Sequence, residues 1–599
     1  MSAIGGVWRR NRGGPDGGCA AVLDAQQRYG PDAQALWSNG TDFALGRNLA
    51  RLLPEDAFDA QPLAGAGGRF TLVADIRLDN RAEIASALGI GGPGLLRRAD
   101  ADLLLAAWER WEEASLQRLV GDFAFAVWDA ERRRLVLARD FAGARPLHFH
   151  ASPSLFAFAS MPAGLHALPE IPRAPDLEFA ARTVEAGNAP PSGSWYVGIE
   201  RVRPGHLLTV SGGEATQRRW WHPAAATVRL RPPEDYAEAL RSHLDQAVRA
   251  RLRGESRVAA HLSGGLDSSA VATSAAHMLA QGGHVTAFTA LPRPGYCASR
   301  SPPLLDEGPL AAATAALWPN LEHVVLPAAG PLPLDRLDED TELFGQPLPN
   351  LCNLPWATAI ADAARARGLK VLLTGQYGNF AFSYDGMFLL ADLLRRGRFA
   401  SLAGHMAALW RGGFVRPRSL AGAMLRPLLG PRDSPPVRER DLRLRVFDVT
   451  DVGNLTKGEL ARSGLDCRDP TADRRLVEFC LSVPPEEFVR GGIPRSLARR
   501  ALAGRVPEFV LAEPRKGVQA PDWHEPASVQ RDAIAALLDS FAATPASALL
   551  PLRDLRGMMD AWADADWSRA AVSREYRARL LRGVSLGHFL GHAARKDGD

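Results

Sequence analysis

Short apolar runs broken by turn residues fill the first 220 residues of the chain, and their lengths predict strands. Phe70-Thr71-Leu72-Val73, Phe123 to Trp128 and Leu135 to Ala138 are examples. From Asp235 onward the pattern changes to long helical stretches alternating with single apolar runs at Val258–Leu262, Val285–Thr289, His323–Leu326 and Lys370–Leu373. Such alternation predicts a doubly wound parallel sheet. The cluster Trp220-Trp221-His222-Pro223 and the proline-containing stretch to Pro233 read as the connector, so domains are expected over 1–220 and 235–599. Residues 386–445 form an arginine-rich helical insertion, read as a solvated face with a peptide-docking surface as the alternative.

Composition narrows the class. At 599 residues the chain is too long for one core. With 46% hydrophobic and 23% charged residues it is ordinary globular material, and a net charge of +4 gives no nucleic-acid footprint. No apolar run reaches membrane-spanning length, and Met1-Ser2-Ala3-Ile4 has no signal-peptide core. Cys19, Cys297, Cys352, Cys467 and Cys480 have no metal-ligand spacing and read as reduced thiols of a cytoplasmic protein. Only four of the 71 basic residues are lysine: Lys370, Lys457, Lys516 and Lys596. In so arginine-biased a chain a retained lysine is a weak pointer to a place needing a compact ammonium.

Candidate chemistry centres on His261-Leu262-Ser263-Gly264-Gly265-Leu266-Asp267-Ser268-Ser269. A strand, a glycine turn and a helix start in succession aim backbone N–H groups and a positive helix end at one spot, a cradle for an oxyanion. The two glycines are expected to let the backbone curl around that spot. A carboxylate such as Asp267 among phosphate oxygens implies Mg²⁺ between them. The loop lacks the Gly-Lys-Ser/Thr ending of a Walker A motif. Asp306-Glu307-Gly308-Pro309 reads as the cap of an alanine-rich helix, with a metal role secondary.

The wording Ser-Gly-Gly-Leu-Asp-Ser-Ser resembles the PP-loop ATP pyrophosphatases of the asparagine synthetase group. That resemblance implies ATP cleavage between the α and β phosphates, with Mg²⁺ as cofactor. It places Leu262, Ser263, Gly264, Gly265, Asp267, Ser268, Ser269, Ala290, Thr374 and Gly375 around the nucleotide. Gly121-Asp122-Phe123 through Asp129 and Arg139-Asp140-Phe141 through Leu147 resemble the group's N-terminal-nucleophile glutaminase domain. The implied fold is therefore α/β, α+β overall: an αββα glutaminase-type domain followed by a PP-loop synthetase domain with helical additions.

Departures from the group carry as much meaning. A working glutaminase of this type exposes a cysteine after methionine removal. Here Ser2 stands there, and Asp75-Ile76-Arg77 replaces the Asn-Gly-Glu glutamine clamp. The domain reads as a scaffold, with ammonia from glutamine not the amine. In Thr374-Gly375-Gln376-Tyr377-Gly378-Asn379-Phe380 the acidic pair of the group's second loop becomes Asn379 and Phe380. Asn379 is left as a neutral metal ligand beside Asp267, and Tyr377 joins the catalytic candidates. Asp466 in Asp466-Cys467-Arg468-Asp469-Pro470 matches an acid that assists amine deprotonation in the β-lactam synthetase branch, a structural ion pair being the alternative. Arg515-Lys516-Gly517 falls where the group places its pyrophosphate-facing lysine.

Taken together the chain resembles the synthetase-like proteins that include lasso-peptide cyclases. That implies an enzyme joining an Asp or Glu side chain of a precursor peptide to its own N-terminal amine. The implied partners are that peptide and a leader-peptidase or leader-binding protein, with no nucleic acid and no membrane. A small-molecule synthetase, as in β-lactam formation, and a catalytically inactive ATP-binding scaffold are the competing readings.

Overall fold

A computed structural model describes residues 2–598 apart from 11–13, 15, 188, 191, 294, 297–305, 328–330 and 413–438. Cys297 and the middle of the arginine-rich insertion lie outside the described residues. Strand β1 (Ala3–Arg9) pairs antiparallel with β2 (Phe43–Leu49) inside one six-stranded sheet. Strands β3 (Phe70–Leu78), β4 (Gly121–Asp129) and β5 (Arg134–Arg139) pair antiparallel inside a second. Side chains on alternate faces separate the layers. Ile4, Trp8, Phe43 and Trp128 fill the space between the sheets. Val7 faces outward onto helix α1 (Asp16–Asp24), and Leu72 and Ala74 face outward onto α2 (Asp100–Trp111). The result is four layers, helix–sheet–sheet–helix.

The rest is built on five parallel strands: β6 (Arg257–His261), β7 (His284–Leu291), β8 (Leu321–Pro327), β9 (Val371–Leu373) and β10 (Asp466–Arg468). Their spatial order is β8-β7-β6-β9-β10. The chain passes from β6 through helix α4 (Leu266–Met278) to β7 and through α5 (Gly308–Ala315) to β8, then returns to the other side of β6. Strand order therefore reverses between β6 and β9, and a crevice opens beyond their carboxyl ends. Among the described residues no helix is long and apolar enough to cross a membrane.

Helix α3 (Pro233–Arg251) begins the second domain, but one core runs through both. Phe123, Phe141, Trp220 and Trp221 share it with Val258, Val271 and Phe447. The tryptophans read as a connector are buried in the seam, where Trp220 Nε1 donates to the Arg139 carbonyl at 3.0 Å and Trp221 Nε1 to Glu478 at 2.9 Å.

Candidate active site

The loop after β6 holds its shape with its own hydroxyls. The Ser263 N–H donates to Ser268 Oγ at 3.0 Å, the Gly265 N–H donates to Ser263 Oγ at 3.0 Å, and the two Oγ atoms lie 2.8 Å apart. Ser269 Oγ donates to the Ser263 carbonyl at 3.3 Å. Thr289 Oγ1 donates to the Leu262 carbonyl at 2.7 Å, which ties the loop to the end of β7, where Ala290 sits. Gly265 does not curl the backbone as expected: it lies at φ −86°, ψ 155°, open to any residue. What it avoids is a Cβ, which would meet Ser263 Oγ at 3.2 Å.

Asp267, in the first turn of α4, is wedged against the loop after β9. Gly375 and Gly378 approach its backbone and carboxylate so closely that a Cβ on either would crowd it. Its Oδ2 accepts from Ser383 Oγ at 2.9 Å, while its buried Oδ1 has no hydrogen-bond partner among the described residues. Burial raises its pKa to about 6, against the opposing pull of Ser383, Arg495 and Lys516. A buried carboxylate oxygen without a donor, in a site that already disfavours its charge, fits a divalent cation.

Sequence reasoning passed over Glu307. It was read with Asp306 as a helix cap, but only Asp306 caps, its Oδ1 accepting from the Gly308 N–H at 2.8 Å. The Glu307 carboxylate turns to the loop instead, where the Gly264 N–H and the Ser263 hydroxyl favour its charge. Burial raises its pKa against those two groups. A carboxyl group thus already faces the cradle. Gly517 packs on that carboxylate with no room for a side chain, which brings the Arg515-Lys516-Gly517 segment to the loop. Arg515 is neutralised by Glu513 at 2.7 Å, whereas Lys516 is exposed and has no ion pair among the described residues.

The second loop departs from expectation at two positions, and β10 at a third, Asp466. Asn379 Oδ1 accepts from Arg495 Nη2 at 3.1 Å, so the oxygen assigned to a metal faces a guanidinium. Arg495 holds that place in a left-handed backbone conformation, φ 59°, rare for a non-glycine residue. Tyr377 does not reach the loop after β6. Its ring stacks on Phe447 at 5.6 Å, and its hydroxyl donates to the carbonyls of Ala142 and Thr450 in the seam. Asp466 is likewise turned away, its Oδ2 accepting from Arg468 Nε at 2.7 Å. Burial would raise its pKa, but Arg468, Arg145 and Arg77 outweigh that and hold it well below the usual carboxylate range. The structural ion pair is what the fold makes of Asp466. Thr374 stays beside the crevice, its N–H donating to the Arg468 carbonyl at 3.0 Å.

Asp466 faces the remnant of the glutaminase-type pocket. There the Ser2 N–H donates to Asp75 Oδ1 at 2.9 Å. Helix α7 (Gly453–Ser463), from the other domain, inserts Lys457, whose ammonium donates to Asp75 Oδ2 and to the Ser2 carbonyl. Lys457 is 0% exposed. The cavity left among Ser2, Gln61, Asp75, Arg77, Arg145 and Asp466 is about 20 Å³, enough for a water molecule and not for an amino-acid side chain. Lysine scarcity is the sequence signal that marks Lys457.

Further ion pairs cross the seam. Arg139 grips Asp451 through both nitrogens at 2.9 and 3.0 Å. Arg251 joins Asp79 at 3.1 Å to Asp473 at 2.9 Å, and Arg253 meets Asp100 at 2.6 Å. Arg77 belongs to the same network, 3.0 Å from Asp79 and 2.8 Å from Asp122.

An anion loop at the switch point of a parallel sheet, joined through a charged seam to two stacked antiparallel sheets, defines a two-domain amidotransferase-like synthetase architecture. Residues 239–582 match the family described as Asparagine synthase, and residues 1–221 match the glutamine amidotransferase domain. The chain belongs to the asparagine synthase family, whose chemistry is ATP-dependent formation of an amide bond. It is 24% identical over 521 residues to an asparagine synthetase of Bacillus subtilis named as glutamine-hydrolyzing, 84% of each chain. It is 28% identical over 378 residues to the Amidase chry2 of Gibberella zeae, 61% of this chain and 54% of the other. A putative asparagine synthetase of Mycobacterium bovis is 24% identical over 579 residues, 85% of this chain and 86% of the other.

Proposed function

We propose that this carbon–nitrogen ligase adenylates a side-chain Asp or Glu carboxylate of a precursor peptide and closes it onto the peptide's N-terminal amine, as a macrolactam cyclase. A carboxylate oxygen attacks the α-phosphorus of ATP, the bond to the β-phosphate oxygen breaks, and pyrophosphate leaves. The amine then attacks the acyl carbon, the acyl C–O bond breaks, AMP departs and the amine loses a proton. The loop Ser263 to Ser269 holds the pyrophosphate, and Lys516 neutralises charge gathering on it. Asp267 would hold Mg²⁺, which when bound offsets the charge of the phosphate oxygens.

The observation that carries the choice of amine is Lys457 in the remnant pocket. It occupies Asp75 and leaves room only for water, so glutamine has no seat from which to supply ammonia. The peptide substrate is proposed to arrive with a leader-peptidase or leader-binding partner. A small-molecule synthetase is the second reading, favoured by relatives named as synthetases and amidases. Purified protein given ATP, Mg²⁺ and the processed precursor should yield a peptide lighter by one water, with AMP. AMP formed only with free aspartate and ammonia overturns the proposal.

Two substitutions probe the cradle. Lys516→Ala should lower kcat about 10²-fold, by analogy with removal of one oxyanion donor, with a smaller change in KM for ATP. Unchanged product formation in this variant counts against its role. Glu307→Gln should lower KM for ATP about fivefold, because two like charges ~4 Å apart repel by ~1 kcal/mol even at the dielectric of water. A raised KM would mean that the carboxylate helps to seat ATP and does not compete with it.

A further inference from the structure

The C-terminal helix α8 (Arg582–Gly598) carries His588 and His592 four residues apart, hence on one face. That face lies on helix α6 (Leu337–Phe344), which presents Asp338, Thr341 and Glu342. His588 Nε2 lies 2.8 Å from Asp338 Oδ1, and His592 Nδ1 lies 3.7 Å from the same oxygen. One ligand atom from each of Asp338, His588 and His592 falls within 4.8 Å of the others. A tetrahedral Zn²⁺ with bonds of ~2.0–2.2 Å sets its ligand atoms ~3.4 Å apart. The two separations from Asp338 Oδ1 straddle that value, and the third lies within 4.8 Å, so modest side-chain rotation brings the three atoms to a common ion.

The outward nitrogens are supported as well. Metal-bound histidines hand their second ring nitrogen to a hydroxyl, carboxylate or carbonyl, which fixes the tautomer. Thr341 Oγ1 is 3.2 Å from His588 Nδ1, and Glu342 Oε1 is 3.6 Å from His592 Nε2. Lys596 pairs with Glu342 and keeps that carboxylate in place and out of the first coordination sphere. Each histidine therefore has one nitrogen for the centre; the other is hydrogen-bonded by Thr341 in His588 and faces the Glu342 carboxylate in His592. The Asp338 side chain is 79% exposed, so the fourth position opens to solvent.

We infer that Asp338, His588 and His592 form a site for a divalent transition metal of the Zn²⁺ class, separate from the cradle of Asp267. Two imidazoles and one carboxylate suit Zn²⁺, Co²⁺ or Ni²⁺ and do not suit Mg²⁺. The metal would clamp the C-terminal helix to α6. That helix in turn touches α7, where Asn454 Nδ2 donates to the Phe344 carbonyl at 3.1 Å.

Full-length protein stripped with a chelator and titrated with Zn²⁺ against a chromophoric competitor tests this. One Zn²⁺ per chain is expected. His592→Gln and Asp338→Asn should each weaken binding at least about 10-fold, and Glu342→Gln by about 10-fold as an outer-shell change. Asp267→Asn should leave that stoichiometry unchanged. Co²⁺ in place of Zn²⁺ should give the intense visible bands of a tetrahedral centre, lost in His592→Gln. Circular dichroism and unfolding in chelator, matching the parent, establish that the variants are folded. Less than stoichiometric binding by the parent, or equal affinity in folded His592→Gln, overturns the site.

Discussion

Asp267→Asn is expected to lower kcat/KM at least about 10³-fold, roughly 4 kcal/mol, because a metal clamp on phosphates contributes several kcal/mol and this is the residue that fits it. The substitution keeps the size of the side chain and an oxygen for Ser383, so the fold should hold. Burial has raised Asp267 to about 6, and Oδ1 lacks a hydrogen-bond partner among the described residues. The neutral amide therefore removes a destabilising buried charge. The unliganded variant should unfold at equal or higher temperature than the parent while losing activity. Steady-state rates and thermal midpoints with and without Mg-ATP check both halves. Activity within about tenfold of the parent would remove Asp267 from the metal site.

Lys457→Met should destabilise the protein by about 3–5 kcal/mol, the range for breaking a buried pair and leaving one charge unpaired. Lys457 is buried against Asp75, and burial lowers its pKa against the attraction of that carboxylate. Asp75 stays below the usual range because Lys457 and Arg145 outweigh its burial. With the ammonium gone, Asp75 keeps the Ser2 N–H and an Arg145 contact at 3.8 Å. The double variant Lys457→Met with Asp75→Asn should recover a large part of the loss, since neither residue is then charged. Denaturant midpoints of the parent, both single variants and the double variant supply the cycle. A single variant within about 0.5 kcal/mol of the parent would mean that water already screens the pair.

What could be read in advance follows from how far apart the cooperating residues lie. The loop from Ser263 to Ser269 was legible because its hydroxyls and N–H groups are contiguous and bond to one another, with Asp267 in the same run. Strands β6 to β9 were legible because each contains a short apolar run, whereas β10, Asp466-Cys467-Arg468, has none and was not. Glu307 and Arg495 were not, since nothing local marks a residue whose partner lies tens or hundreds of positions away. Asp466 and Tyr377 were misplaced for a related reason. A motif fixes neighbours along the chain, but the pairing of β10 with β9 and the stacking of Tyr377 on Phe447 decide which way each side chain faces. Lysine scarcity pointed equally to Lys516 and Lys457, and only the folded chain separates an exposed cation at a loop from a buried one in a seam.

The charged seam also bears on why a domain with Ser2 in place of a nucleophilic cysteine persists at full length. Each half carries ions whose partners belong to the other: Lys457, Asp451, Arg251 and Arg253 on one side, and Asp75, Arg139, Asp79 and Asp100 on the other. A gene trimmed to the synthetase half would expose apolar core and orphaned charges together, and so would a protease cut near Pro223. Neither fragment should be recoverable alone, whereas the two co-expressed should find each other. Whatever chemistry each half performs, the seam makes the two halves obligate companions.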